Sequence, residues 1–96
     1  MRMLWIVYTG SAPDRVTRAL HDLGAPGWTR MGAAYGAGMH GRVEGTRAWP
    51  GEETVFMSVM PGDVASTVVD GLARVQVLLD AGERLHVAVL PVERFQ

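Results

Sequence analysis

The order of secondary-structure patterns constrains this chain of 96 residues more than any other feature. Apolar runs rich in β-branched and aromatic side chains predict strands over residues 3–8, 28–35, 54–60 and 85–90. Apolar residues at helical spacing predict one helix after the first strand and a second helix after the third strand. The predicted order is therefore two successive split βαβ units.

Two split βαβ units joined by right-handed crossovers form one compact domain. We therefore predict an α+β, ferredoxin-like βαββαβ fold, in which a four-stranded antiparallel sheet carries both helices on one face. An apolar content of 48% and a mean hydropathy of +0.10 suit a single globular domain over residues 1–96.

Local signals also predict where the helices begin and end. Ser11 is placed to act as the N-cap of the first helix, and Gly24 ends its apolar pattern. Asp63 is placed to cap the second helix, and Gly82 to end it.

A long glycine-rich connection, residues 35–51, separates the second and third predicted strands. A compact domain that carries a connection of this length either leaves it disordered or uses it to hold a ligand or a partner. Residues 36–41 match G-x-G-x-x-G, but no helical pattern follows them, and this argues against a dinucleotide-binding Rossmann fingerprint. Closely spaced backbone N–H groups in the run predict an anion site instead.

We predict the ligand-binding residues from this run and from the few cations of the chain. All nine basic residues are Arg, so a side chain that binds an anion here is Arg or His. A solvated loop face is the alternative for Arg42 and Arg47. The predicted ligand-binding residues are Gly36, Ala37, Gly38, His40, Arg42, Arg47 and Arg84.

Composition excludes several functions. A net charge of −1 without any Lys argues against nucleic acid as a partner, and the absence of Cys excludes disulfides and thiolate chemistry. No carboxylate pair, Ser–His–Asp set or metal triad is discernible in the sequence, so we do not expect an enzyme. The apolar start, residues 3–7, is too short for a signal-peptide core or a membrane span, which predicts a cytoplasmic protein without membrane insertion.

Strand parity makes a prediction about assembly. In a sheet covered on one side only, apolar and polar residues alternate, but both parities are apolar in the first strand and nearly so in the third and fourth. The face without helices is therefore expected to bury an apolar surface in an oligomer. The alternative is that the last residues or the long connection fold over this face.

Three short motifs resemble the PII signal-transduction family. Residues 20–29 resemble the end of the family's first helix and the entry to its second strand, and Tyr35-Gly36-Ala37-Gly38 resembles the step into its T-loop. Leu90-Pro91-Val92-Glu93 is similar to the Pro-Val-Glu that closes the last core strand. The resemblance implies a homotrimer of ferredoxin-like subunits that senses small molecules, with a T-loop-like segment at about residues 36–51.

The sequence departs from the PII family in the segment that binds phosphates in the nucleotide-sensing members. PII proteins that sense nucleotides carry Gly-Asp-Gly-Lys before the last strand, and this chain has Ala81-Gly82-Glu83-Arg84. Arg84 is positioned to replace the lysine, whereas Glu83 is expected to oppose a phosphate electrostatically. The T-loop-like segment has no Tyr between Ala37 and Gly51, so tyrosine uridylylation is not expected.

These features predict a non-catalytic sensor that binds a small anionic ligand, such as an adenine nucleotide, in clefts between subunits. Ordering of the loop then changes its contact with a regulated partner protein. One alternative is a metal-binding trimer of the CutA-like kind, with His40 as a ligand and Glu44, Glu52 or Glu53 completing the site. Another is a structural oligomer without a ligand.

Overall fold

A computed structural model describes residues 1–34, 37–38, 41–42 and 53–96 of the chain. The order of the main elements agrees with the prediction from the sequence. The elements are β1 (Arg2–Thr9), α1 (Asp14–Asp22), β2 (Thr29–Ala34), β3 (Ala37–Gly38), β4 (Gly41–Arg42), β5 (Glu53–Met60), α2 (Gly62–Val77) and β6 (Arg84–Pro91).

The main sheet has four strands in the order β2-β5-β1-β6, and every neighbouring pair is antiparallel. The long strands β1 and β5 form its centre, and Ile6 of β1 lies opposite both Phe56 of β5 and Val87 of β6. This order confirms the predicted ferredoxin-like α+β fold.

The hydrophobic core lies between the sheet and the two helices. Every second residue of β1 points into it, so Leu4, Ile6 and Tyr8 are fully buried. Apolar side chains at helical spacing meet them from α1 and α2. The core residues contributed by the other elements are Val16, Leu20, Ala25, Phe56, Met60, Ala65, Val68, Leu72 and Leu85.

The end of α1 is the one that the sequence predicted. Gly24 has a φ of +87°, and its N–H donates to the carbonyl of His21 at 3.2 Å. The N–H of Ala25 donates to the carbonyl of Leu20 at 3.0 Å, which completes a Schellman arrangement. Ala25 and Leu20 both belong to the core, so the turn that follows α1 is anchored by packing as well.

The predicted caps at the helix starts are wrong. Pro13, and not Ser11, occupies the N-cap position of α1, because the Tyr8 hydroxyl accepts the N–H of Ala12 at 3.1 Å and the helix begins only at Asp14. Pro61 precedes α2, which begins at Gly62 without a side-chain cap. Asp63 lies instead in the first turn, where its charge complements the helix dipole.

The predicted end of α2 at Gly82 is also wrong, since the helix ends at Val77. The amide of Gln76 donates to the carbonyl of Leu85 at 2.7 Å and ties the last helical turn to β6. Gly82, with a φ of +91°, belongs to the turn that leads into β6. Its left-handed backbone serves that turn and not the helix.

Two short strands lie within the connection predicted at residues 35–51. Ala37 pairs with Arg42, and Gly38 with Gly41, so β3 and β4 form a small antiparallel ladder. Residues 35–36, 39–40 and 43–52 lie outside the described part of the chain.

The sheet face opposite the helices carries the apolar side chains that strand parity placed there. We call it the open face. Trp5, Met31 and Leu90 on this face are 38–40% exposed. Near one corner, Phe95 of the C-terminal tail lines a cavity together with Val59. The apolar residues of the open face are Met3, Trp5, Val7, Met31, Val55, Met57, Val59, Ala88 and Leu90.

In the described part of the chain, neither helix is long and apolar enough to cross a membrane.

Candidate functional site

The glycine-rich connection leaves and re-enters the main sheet at the same end as Arg84. Ala34, at the end of β2, pairs with Glu53 at the start of β5. Glu53 lies opposite Thr9, and Thr9 lies opposite Arg84. Because neighbouring strands are about 4.8 Å apart, the backbone of Arg84 lies about 10 Å from the point where the connection re-enters the sheet. The fold therefore brings this predicted ligand-binding residue close to the base of the predicted loop.

The turn before β6 is closed by both its main chain and the side chain of Glu83. The N–H of Glu83 donates to the carbonyl of Asp80 at 3.1 Å, and Glu83 Oε1 accepts the N–H of Asp80 at 3.0 Å. Gly82 supplies the positive φ that such a turn needs at its third position. The turn is therefore held rigidly just before Arg84.

The Glu83 carboxylate is directed inward, toward β1 and α1. Its Oε2 accepts a hydrogen bond from the hydroxyl of Tyr8, and its Oε1 lies 3.4 Å from Nη1 of Arg15. The side chain of Glu83 is only 8% exposed. The charge of Glu83 is therefore paired with Arg15, and its oxygens are already hydrogen-bonded within the chain. The expected opposition between Glu83 and a bound phosphate stays a prediction.

The contacts of Glu83 and Tyr8 shift both pKa values away from neutrality. The hydrogen bond from Tyr8, followed by the one from the N–H of Asp80, lowers the pKa of Glu83. Burial, followed by the hydrogen bond to Glu83, raises the pKa of Tyr8. The structure thus favours an ionised carboxylate accepting from a neutral phenol.

These shifts predict the pH dependence of stability. Glu83 titrates lower in the folded chain than its ordinary 4.5, so its contribution is present above that pH and is lost as the pH falls through the folded pKa. Tyr8 titrates higher than its ordinary 10.0, so its contribution is present below that pH and is lost as the pH rises through the folded pKa. Urea unfolding between about pH 3 and about pH 11 measures both limbs.

Two variants isolate the contribution of Glu83 to the loss of stability at low pH, which we call the acid limb. Glu83→Gln is expected to flatten it, whereas Asp70→Asn, which removes an exposed carboxylate of α2, is expected to leave it unchanged. Asp14, whose pKa is lowered chiefly by its hydrogen bond with Arg30, contributes equally in both variants. An acid limb of the same steepness in wild type and Glu83→Gln contradicts the assignment.

A cavity of about 330 Å³ borders the opposite end of the open face. Trp28 and Phe95 give it an aromatic lining, and Thr29 and Val59 lie beside them. Thr29 of the cavity lining pairs with Met57 of β5. Met57 is four residues along β5 from Glu53, so the cavity lies about 13 Å along the sheet from the point where the connection re-enters it. This cavity was not predicted from the sequence, although Trp28, an aromatic residue just before β2, is a signal for it. Its lining is suited to a flat apolar ring.

The remaining predicted site residues fall into two groups. Gly36, His40 and Arg47 lie outside the described residues, so their roles stay predictions. Ala37, Gly38 and Arg42 are described as members of the short β3–β4 ladder. Arg84 and the point where the connection leaves β2 therefore lie at the same end of the sheet.

The described residues contain no group of three or more His, Asp or Glu side chains that could hold a metal ion. The predicted metal ligand His40 lies outside them, and the metal-binding alternative therefore stays a prediction. Loss of a zinc-induced rise in Tm in His40→Ala is the result that supports it.

No protein-family model and no curated protein matches the chain. Solved structures do match. CPII, a nitrogen regulatory PII-like protein from Thiomonas intermedia K12 bound to ADP, AMP and bicarbonate, has a TM-score of 0.69 at 21% identity, over 97% of this chain and 88% of CPII. The apo form of CPII has a TM-score of 0.63 at 15% identity, over 95% of this chain and 89% of CPII.

A further match comes from Thermus thermophilus. This candidate PII-like signaling protein has a TM-score of 0.59 at 19% identity, over 92% of this chain and 82% of its own. The chain has the PII-like fold. The resemblance predicted from three short motifs is therefore confirmed at the level of the fold.

The PII-like fold explains why distant segments meet at one end of the sheet. Its second and third long strands, β2 and β5, begin and end the glycine-rich connection, while its last strand, β6, begins at the same end. Only β1 lies between β5, on which the connection ends, and β6, which begins with Arg84.

Proposed function

We propose that this chain is a divergent PII-like regulatory protein that binds an adenine nucleotide between subunits and signals through its glycine-rich loop. The observation that carries the proposal is the joint placement of an aromatic cavity and of Arg84 at opposite ends of the open face. The protein is expected to bind its ligand without transforming it.

The open face supports assembly as a homotrimer. Its exposed apolar side chains are costly in water, and at about 25 cal/mol per Å² a few hundred Å² buried per subunit contributes several kcal/mol. A small domain gains substantially from such burial. Because the cavity borders this face at Val59, a neighbouring subunit placed on the face would supply a second wall of the cavity.

The cavity suits the base of a nucleotide, and the loop end suits its phosphates. Trp28 and Phe95 offer aromatic surfaces on which a purine can stack. Arg84, about 13 Å further along the sheet and about 10 Å across it, can pair with a phosphate through its long side chain, and the amides near Gly36 and Gly38 can complete the anion site. The ADP and AMP bound to CPII support this ligand class.

Signalling requires that the ligand distinguish two loop states. A ligand that binds both states equally well shifts neither. Contact of the phosphates with residues 36–42 would favour the ordered loop, which would then bind or release a regulated partner protein.

Titration calorimetry with ADP tests the proposed function. We expect saturable binding that Trp28→Ala and Arg84→Gln each weaken about tenfold or more, through lost stacking and lost phosphate pairing. Arg18→Gln, which removes an exposed cation of α1, is the matched control and is expected to bind like wild type. Absence of ADP binding by the wild-type protein contradicts the proposal.

A further inference from the structure

Glu83 makes hydrogen bonds to β1 and α1 in addition to the one that closes its own turn. Its two oxygens accept from the Tyr8 hydroxyl, from the N–H of Asp80 and from Arg15, which come from β1, the turn and α1. Tyr8 is fully buried, and its hydroxyl also accepts the N–H of Ala12 at 3.1 Å. A buried carboxylate with this many partners is held in a single orientation.

The backbone at Gly10 packs closely against the hydrogen-bonded cluster of Glu83, Tyr8 and Arg15. A Cβ added at Gly10 would collide with the Tyr8 hydroxyl, so the chain leaving β1 passes directly over that group. The cluster therefore joins three segments that share one end of the sheet: the exit of β1, the start of α1 and the turn before β6.

Arg84 is the next residue after Glu83 and lies on the opposite side of the strand. Leu85 is buried in the core, so Arg84 and Glu83 are directed to different faces by strand alternation. Arg84 lies across from Thr9, at a position whose side chain belongs to the open face, while the Glu83 carboxylate lies on the helix side of the sheet, beside Arg15 of α1. An anchor on Glu83 thereby restricts the backbone from which the Arg84 side chain extends.

We propose that Glu83 is a positioning residue: through Tyr8, Arg15 and the N–H of Asp80 it holds the turn that presents Arg84 to the phosphates of the ligand. This inference rests on the proposed function and deepens it. Residue 83, whose charge suggests repulsion of a phosphate, instead strengthens phosphate binding.

The variant Glu83→Gln separates positioning from repulsion by the sign of its effect. Its amide N–H₂ would either face the N–H of Asp80 or donate to the Tyr8 oxygen, which would leave the buried Tyr8 proton without its acceptor. The charge that pairs with Arg15 would also be removed, so the turn would be held less firmly. Positioning predicts that ADP binding weakens about tenfold. Direct repulsion predicts the reverse, because removal of a negative charge would then tighten binding.

A double-variant cycle measured by ADP calorimetry completes the test. If Glu83 acts through Arg84, Glu83→Gln is expected to have little further effect in the Arg84→Gln background. Adenosine, which lacks phosphates, should bind wild type and Glu83→Gln equally. Asp70→Asn controls for the change in net charge, and thermal unfolding confirms that each variant is folded.

The outcomes are distinguishable. Wild-type ADP binding together with unchanged or tighter binding by Glu83→Gln overturns the positioning role and leaves the proposed function intact. Fully additive effects of Glu83→Gln and Arg84→Gln, or equal losses of adenosine and ADP binding, also overturn it. If the wild-type protein does not bind ADP, the proposed function fails and the positioning role fails with it.

Discussion

Trp5→Glu is expected to convert the proposed homotrimer into folded monomers. Trp5 lies on the central strand β1, in the middle of the open face, opposite Met57 and Ala88. Its side chain is 38% exposed in the single chain, so a carboxylate remains solvated in the monomer. In the proposed interface the same charge would be buried without a partner, at a cost of several kcal/mol. Sedimentation velocity at micromolar concentration measures the change.

Leu78→Glu is the matched control for this charge. Leu78 is 74% exposed and follows α2, on the helix side of the sheet, so the same carboxylate there should leave the oligomer intact. Trp5→Glu should also lose ADP binding, because the cavity would lose its second wall. A wild-type protein that sediments as a monomer, or an oligomer unaffected by Trp5→Glu, would refute assembly through the open face.

Phe56→Ala is expected to cause a large loss of stability. Phe56 is fully buried at the centre of the sheet, opposite Ile6 and Arg30, and the Arg30 guanidinium lies 5.8 Å from its ring centroid. Truncation of a buried Phe costs about 3–5 kcal/mol, against a total of about 5–15 kcal/mol for a typical domain. We expect Tm to fall by about 15 °C or more.

Differential scanning calorimetry at one fixed protein concentration measures this loss, because the proposed assembly would make Tm depend on concentration. Val77→Ala is the control: Val77 is 83% exposed at the end of α2, and its truncation should change stability by less than about 0.5 kcal/mol. A fall in Tm for Phe56→Ala no larger than that of the control would contradict the assigned core.

Local features of the sequence predicted the fold well. The alternation of strand and helix patterns was sufficient to predict the ferredoxin-like order, since hydrophobic periodicity records which face of each element is buried. Gly24 marked the end of α1 correctly, because a left-handed residue after a helix is a local requirement. Apolar residues on both faces of β1 likewise predicted the open face.

The helix starts at Ser11 and Asp63 were predicted incorrectly because a capping residue competes with tertiary contacts. The Tyr8 hydroxyl, which belongs to another element, binds the N–H of Ala12 and displaces the start of α1. Similarly, the contact of Gln76 with β6 fixes the end of α2 ahead of Gly82. Local propensity does not encode such contacts.

The sequence by itself determined the order of the elements, the apolar character of the open face and the PII-like resemblance, because each depends on residues close together in the chain. Only the tertiary structure decided that Glu83 faces inward. Its hydrogen bond with Tyr8 joins residues 75 positions apart, and its ion pair with Arg15 joins residues 68 positions apart. Both contacts exist only because antiparallel pairing brings the end of β1 beside the start of β6.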